Sequence, residues 1–89
     1  MREITVDFGL YGDRRSLHKA LKEKFEFEEW YGANLDALHD MLTEPCVKTK
    51  VRLIVPDDPA DGMTEYISKV VSVFLDSAVE NKSLKLEIV

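Results

Sequence analysis

Asp36 and Asp40 stand four residues apart in the run Leu35-Asp36-Ala37-Leu38-His39-Asp40-Met41-Leu42-Thr43. On a helix, that spacing puts both carboxylates on one face. They belong to a longer window. From Phe25 to Val47 the chain carries Glu26, Glu28, Glu29, Asp36, Asp40 and Glu44, with no lysine or arginine. The formal net charge is −5, and outside this window eleven of the 17 acids face all 12 bases. The acidity is therefore a patch on an otherwise balanced chain. Trp30, Tyr31, Gly32 and Asn34 lie inside it. Focused negative charge beside aromatic anchors suits docking onto a strongly positive partner surface. The competing reading at this point is a solvated helix face that happens to be acidic.

Catalysis fits these residues less well. His39 between Asp36 and Asp40 resembles a base with a carboxylate orienter. Yet His39 immediately precedes Asp40, whose side chain points about 100° further around a helix. The segment holds no serine, cysteine or lysine nucleophile, and no glycine-rich phosphate loop occurs anywhere. His18, His39 and Cys46 are too scattered for a metal site. Asp57, Asp58 and Asp61 lack the glutamate that would complete a calcium loop. No cofactor, metal or enzymatic activity is expected. His18 is expected as a packed or surface side chain, and Cys46 as a small packed side chain near the end of the second helix.

The elements that must position the acidic face follow from periodicity. Ile4, Val6 and Phe8 alternate with Glu3, Thr5 and Asp7, which predicts a half-buried strand over residues 3–8, broken by Gly9 and Gly12. Leu17, Ala20, Leu21 and Phe25 recur at helical spacing behind Asp13, a good N-cap, with Arg14, Arg15, Lys19 and Lys22 on the outer face. Asn34 caps a second helix whose apolar side is Leu35, Leu38, Met41 and Leu42, and Pro45 closes it. Asp36, His39, Asp40 and Thr43 then project on the other side. Val51 to Val55 is a nearly continuous apolar run, which predicts a buried strand. After a turn-rich stretch over 56–62, Ile67, Val70, Val71, Phe74 and Ala78 mark a long helix from about Thr64 to Val79. Leu84, Leu86 and Ile88 alternate as a last strand. Strands separated by helices imply an α/β fold with a three-stranded parallel sheet, in the order β-α-α-β-α-β.

Eighty-nine residues make a single domain, residues 1–89, with one core. One cysteine allows no internal disulfide and fits a reducing compartment. No stretch approaches the roughly 20 apolar residues that span a bilayer, and the start lacks a signal-peptide core. The acidic balance argues against nucleic acid, because phosphate binding needs clustered Lys and Arg. The expectation is a cytoplasmic protein with neither membrane nor nucleic-acid partner.

The segment from Trp30 to Thr43 resembles the signature of the barstar family of ribonuclease inhibitors: aromatic-Tyr-Gly-x-Asn-Leu-Asp-Ala-Leu-x-Asp-x-Leu-Thr, with every fixed position present. A weaker likeness covers the whole chain, through its length, its element order and Val73-Phe74-Leu75-Asp76. The resemblance implies an inhibitor that blocks the basic active site of a barnase-like ribonuclease, of extracellular or toxin type, in a one-to-one complex. Asp40 would take the place of a substrate phosphate, and Asp36 would pair with a second basic group at the rim. Trp30 would pack on the enzyme's catalytic histidine. Tyr31, Gly32, Asn34, Leu35, His39 and Thr43 would line the contact, and Asp76 would match a peripheral acid usually longer by one methylene. Two positions depart from the pattern. His39 stands where the best-known member carries tryptophan, and Glu44-Pro45 replaces a second aromatic contact. The alternative these departures raise is an immunity protein of the same fold that neutralises a different toxin nuclease.

Overall fold

The computed structural model describes residues 2–44 and 48–89. Three strands, β1 (Arg2–Asp7), β2 (Thr49–Ile54) and β3 (Leu84–Ile88), form one sheet in the order β1-β2-β3. Both pairings are parallel, with Ile4 opposite Val51 and Val51 opposite Leu86. Helices α1 (Arg14–Phe25) and α2 (Leu35–Thr43) carry the chain from β1 to β2, and α3 (Thr64–Glu80) carries it from β2 to β3. Each strand is laid beside the last in the same direction. Crossovers of one hand then place all their helices on one face of the sheet.

That topology corrects one expectation. The run from Val51 to Val55 is not buried on both sides. Val51 and Leu53 are buried, Ile54 is half-buried, and Arg52 and Val55 are exposed. The helix-free face carries Glu3, Thr5, Arg52 and Lys85 in solvent, with Lys50 and Arg52 both paired to Glu87 at 3.4 and 3.5 Å. Side chains alternate even in this parallel central strand because only one layer of helices exists to cover it.

Local signals set most element ends. Asp13 accepts a hydrogen bond from the Ser16 N–H at 2.7 Å, and this bond holds its carboxyl below the usual range. Asn34 accepts one from the Ala37 N–H at 2.8 Å. β1 stops one residue short of the alternation. The Asp7 side chain accepts from the Gly9 N–H at 2.9 Å and turns Phe8–Leu10 into a single 3₁₀ turn, which still delivers Phe8 to the core. α1 ends at Glu26, which is left-handed with φ 57°. α3 starts at Thr64 as the periodicity predicts, although no side chain caps it. Leu17, Leu21, Phe25, Leu38, Leu42, Val70 and Phe74 from the three helices meet Val6, Val51 and Leu53 in one core. The expectations for Pro45 and Cys46 fall outside the described residues. No helix among the described residues is long and apolar enough to cross a membrane.

Candidate protein-docking site

Residues 26–34 join α1 to α2, and the loop's acids differ from those on the helix. Glu26 lies 3.8 Å from the Arg2 guanidinium, and Glu29 lies 3.1 Å from Lys22. The loop is thus partly compensated from outside the acidic window. Asp36 and Asp40 are exposed and form no ion pair among the described residues. The concentrated charge sits on α2, on the side away from buried Leu38 and Leu42. Two like charges four apart cost about 0.2–0.5 kcal/mol in an isolated helix. Here packing of the apolar side against α3 and the Asn34 cap hold the helix despite that repulsion.

The ten residues singled out from sequence separate by exposure. Trp30 is 65 % exposed and projects from the loop. Gly32, Asn34, Asp36, Asp40 and Asp76 are also exposed, while Leu35, His39 and Thr43 are half-buried. Asn34 is occupied with its own loop: besides capping α2, its Nδ2 donates to the Gly32 carbonyl at 3.3 Å. A β-carbon on Gly32 would come within 3.2 Å of that same Nδ2, so glycine at 32 protects the cap. Thr43 donates its hydroxyl back to the His39 carbonyl at 2.8 Å. Leu35 packs on the core edge.

Tyr31 is the correction. It is only 8 % exposed, so its side chain belongs to the core rather than to the contact surface. Its ring meets Phe27 with centroids 4.9 Å apart, and Phe27 stacks on Phe25 at 5.4 Å. Its hydroxyl lies 2.6 Å from Nδ1 of His18, and burial pushes its pKa well above the ordinary phenol value. Tyr31 carries the loop from within the core.

The structure also adds residues that sequence reasoning did not place. Glu80, at the end of α3, sits 2.6 Å from Nε2 of His39. Asn81 donates to the Leu42 carbonyl at 2.9 Å, which locks the ends of α2 and α3 together. Asp76 precedes Glu80 by one helical turn and so shares its face. The i, i+4 spacing of Asp76 and Glu80 was a readable signal, the same one that marked Asp36 and Asp40. The acidic surface therefore spans two helices, with His39 bridging them.

The sequence profile of the family described as "Barstar (barnase inhibitor)" matches residues 1–88. The chain belongs to the barstar family. A Bacillus subtilis (strain 168) protein named "Putative ribonuclease inhibitor YrdF" is 46 % identical over 43 residues. That alignment covers 48 % of this chain and 47 % of the relative, so the match spans about half of each protein. Both descriptions are of inhibitors rather than enzymes, and the parallel three-stranded sheet with its helices is the barstar-like architecture expected from sequence.

Proposed function

We propose that this barstar-family chain inhibits a barnase-like ribonuclease by inserting the α2 face into its basic active site, one molecule on one. The observation that carries this reading is the pair Asp36 and Asp40, exposed, without a cation partner among the described residues, on a capped helix beside an exposed tryptophan. An enzyme built to hold phosphates leaves its cations poorly compensated until an anion arrives. Carboxylates already fixed in place meet those cations through charge-assisted hydrogen bonds, with little ordering cost. In this reading Asp40 takes the phosphate position, Asp36 pairs at the rim, and Trp30 covers the catalytic histidine. Asp76 and Glu80 extend the contact along α3. The single cysteine fits action in a reducing compartment such as the cytoplasm.

One feature favours the related reading of an immunity protein against a different toxin nuclease. His39 is tied to Glu80, so the centre of the face carries a hydrogen-bonded polar pair where a family member presents tryptophan. A partner matched to that centre would be more polar there.

Calorimetric titration with a purified barnase-like ribonuclease, at low and high salt, tests the proposal. The expected result is one-to-one binding that weakens with salt. Asp40→Ala should lose about 2 kcal/mol or more, roughly thirtyfold in Kd, and Asp36→Ala and Trp30→Ala should lose less. Absence of binding by the folded chain would reject this enzyme as the target and move the search to other toxin nucleases.

A further inference from the structure

We propose that His18 is the positioning residue of the docking loop, holding Tyr31, and through it Trp30 to Asn34, in the conformation that a partner meets. The functional half of this proposal rests on the docking reading above, while the structural half stands on geometry alone. Residues 26–34 have neither strand nor helix to hold them. Their start is fixed where the Phe27 N–H donates to the Lys22 carbonyl at 3.0 Å, and their end by the Asn34 cap. Between these points the backbone is turned by left-handed residues at Glu26 and Ala33. The Lys22–Glu29 pair is solvent-exposed on the glutamate side and adds little. In the middle, the Tyr31 N–H closes a turn on the Glu28 carbonyl at 3.0 Å, and the buried Tyr31 side chain ties that turn to the core.

Aromatic packing on Phe27 keeps the Tyr31 ring buried, but apolar contact alone permits sliding. The hydroxyl supplies direction. It meets Nδ1 of His18 at 2.6 Å, while Nε2 of the same imidazole meets the Tyr66 hydroxyl of α3. A neutral imidazole has one N–H and one bare nitrogen, so one tyrosine hydroxyl accepts and the other donates. Both nitrogens are thereby used, in a side chain 2 % exposed. The Arg14 guanidinium lies 4.4 Å over the Tyr66 ring and closes the other end of the chain. Loop, α1 and α3 are joined by two directional bonds inside the core, where such bonds are stronger than in water. A leucine would fill position 18 at no cost in buried polarity, whereas an imidazole there must be paired on both sides. What the imidazole adds is a fixed place for Tyr31. A loop fixed in advance has less freedom to lose on binding.

The test compares His18→Leu, His18→Gln and Tyr31→Phe with the wild type by amide hydrogen exchange of the free chain and by dissociation rate from a barnase-like ribonuclease. His18→Gln keeps one donor and one acceptor. Tyr31→Phe removes a single hydroxyl and keeps the ring, so it preserves the core. In Tyr31→Phe and His18→Leu, residues 27–34 should exchange about fivefold faster or more, with Val51 and Leu53 of the central strand unchanged. Dissociation should quicken about three- to tenfold, and His18→Gln should recover most of the loss. Unchanged loop exchange, or acceleration that includes Val51 and Leu53 to the same degree, overturns the proposal and leaves His18 as core packing. If the wild type does not bind the enzyme, the docking reading fails, and the exchange measurement still decides what His18 holds.

Discussion

At the scale of single residues, burial decides what each ionisable group contributes. His18 lies in the core with its imidazole neutral, and desolvation pulls its pKa below the ordinary value of 6.5. The unfolded chain has no such penalty, so as pH falls below about 6.5 it takes up a proton that the folded chain resists. Stability is then full above the unfolded value and is lost as pH descends toward the lowered folded one. Urea unfolding between pH 7.5 and 5.5 should show a decline of at most about 1.4 kcal/mol per pH unit. His18→Gln should flatten that slope. An identical slope in the variant would assign the decline to other groups. The same burial that makes His18 costly to protonate takes the Tyr31 side chain into the core, and this is where reading residues singly misleads. A tyrosine beside an exposed tryptophan in an acidic loop has the composition of an anchor. Only its contact with a histidine thirteen positions earlier shows that it faces inward.

At the scale of elements, the loop from 26 to 34 combines a capped helix start with backbone strain. Ala33 is left-handed with φ 53°, a conformation that costs a residue with a β-carbon about 1–2 kcal/mol relative to its usual regions. Ala33→Gly should relieve most of this, less roughly 0.4–1 kcal/mol for the freer unfolded chain. Thermal unfolding should therefore show a small net gain or no change. Asn34→Ala removes the α2 cap and should cost about 1 kcal/mol. Gly32→Ala should move in the same direction, by crowding Asn34 Nδ2. A cap variant that unfolds like the wild type would show that α2 is held by packing alone. The elements themselves were legible because their signals are local. Leu17, Leu21 and Phe25 repeat with the helical period, as do Ile67, Val70 and Phe74, and Asp13 and Asn34 are caps by type. What escaped was set by neighbours distant in sequence. The central strand reads as doubly buried until the single helix layer leaves Arg52 in solvent. Phe8 reads as strand until Asp7 bends the chain at Gly9. Glu80 could be read with Asp76 from their spacing, but its contact with His39 exists only once α3 packs against α2.

At the scale of the whole molecule, the charges are sorted by face. Arg14, Arg15, Lys19 and Lys24 are exposed on α1, while Asp36, Asp40, Asp76 and Glu80 are exposed on α2 and the end of α3. A net charge of −5 distributed in this way acts at a distance as an oriented field rather than a uniform one. Steering of a basic enzyme by such a field is best known from the barnase–barstar pair itself, so the phenomenon is not new to this fold. What this chain adds is a face whose uncompensated charge sits mainly on two helices, the loop acids being partly neutralised by Arg2 and Lys22. Exposed charges are screened beyond about 10 Å at 0.1 M salt, whereas contacts already formed are screened much less. Stopped-flow association with a barnase-like ribonuclease should therefore slow about tenfold or more from low to high salt, with dissociation changing little. Asp76→Asn, at the margin of the face, should lower the association rate and its salt slope while leaving dissociation nearly intact. Neutralising Glu29 should do less, because Lys22 already offsets it at 3.1 Å. A Glu29→Gln effect as large as that of Asp76→Asn would place the steering charge in the loop rather than on the paired helices.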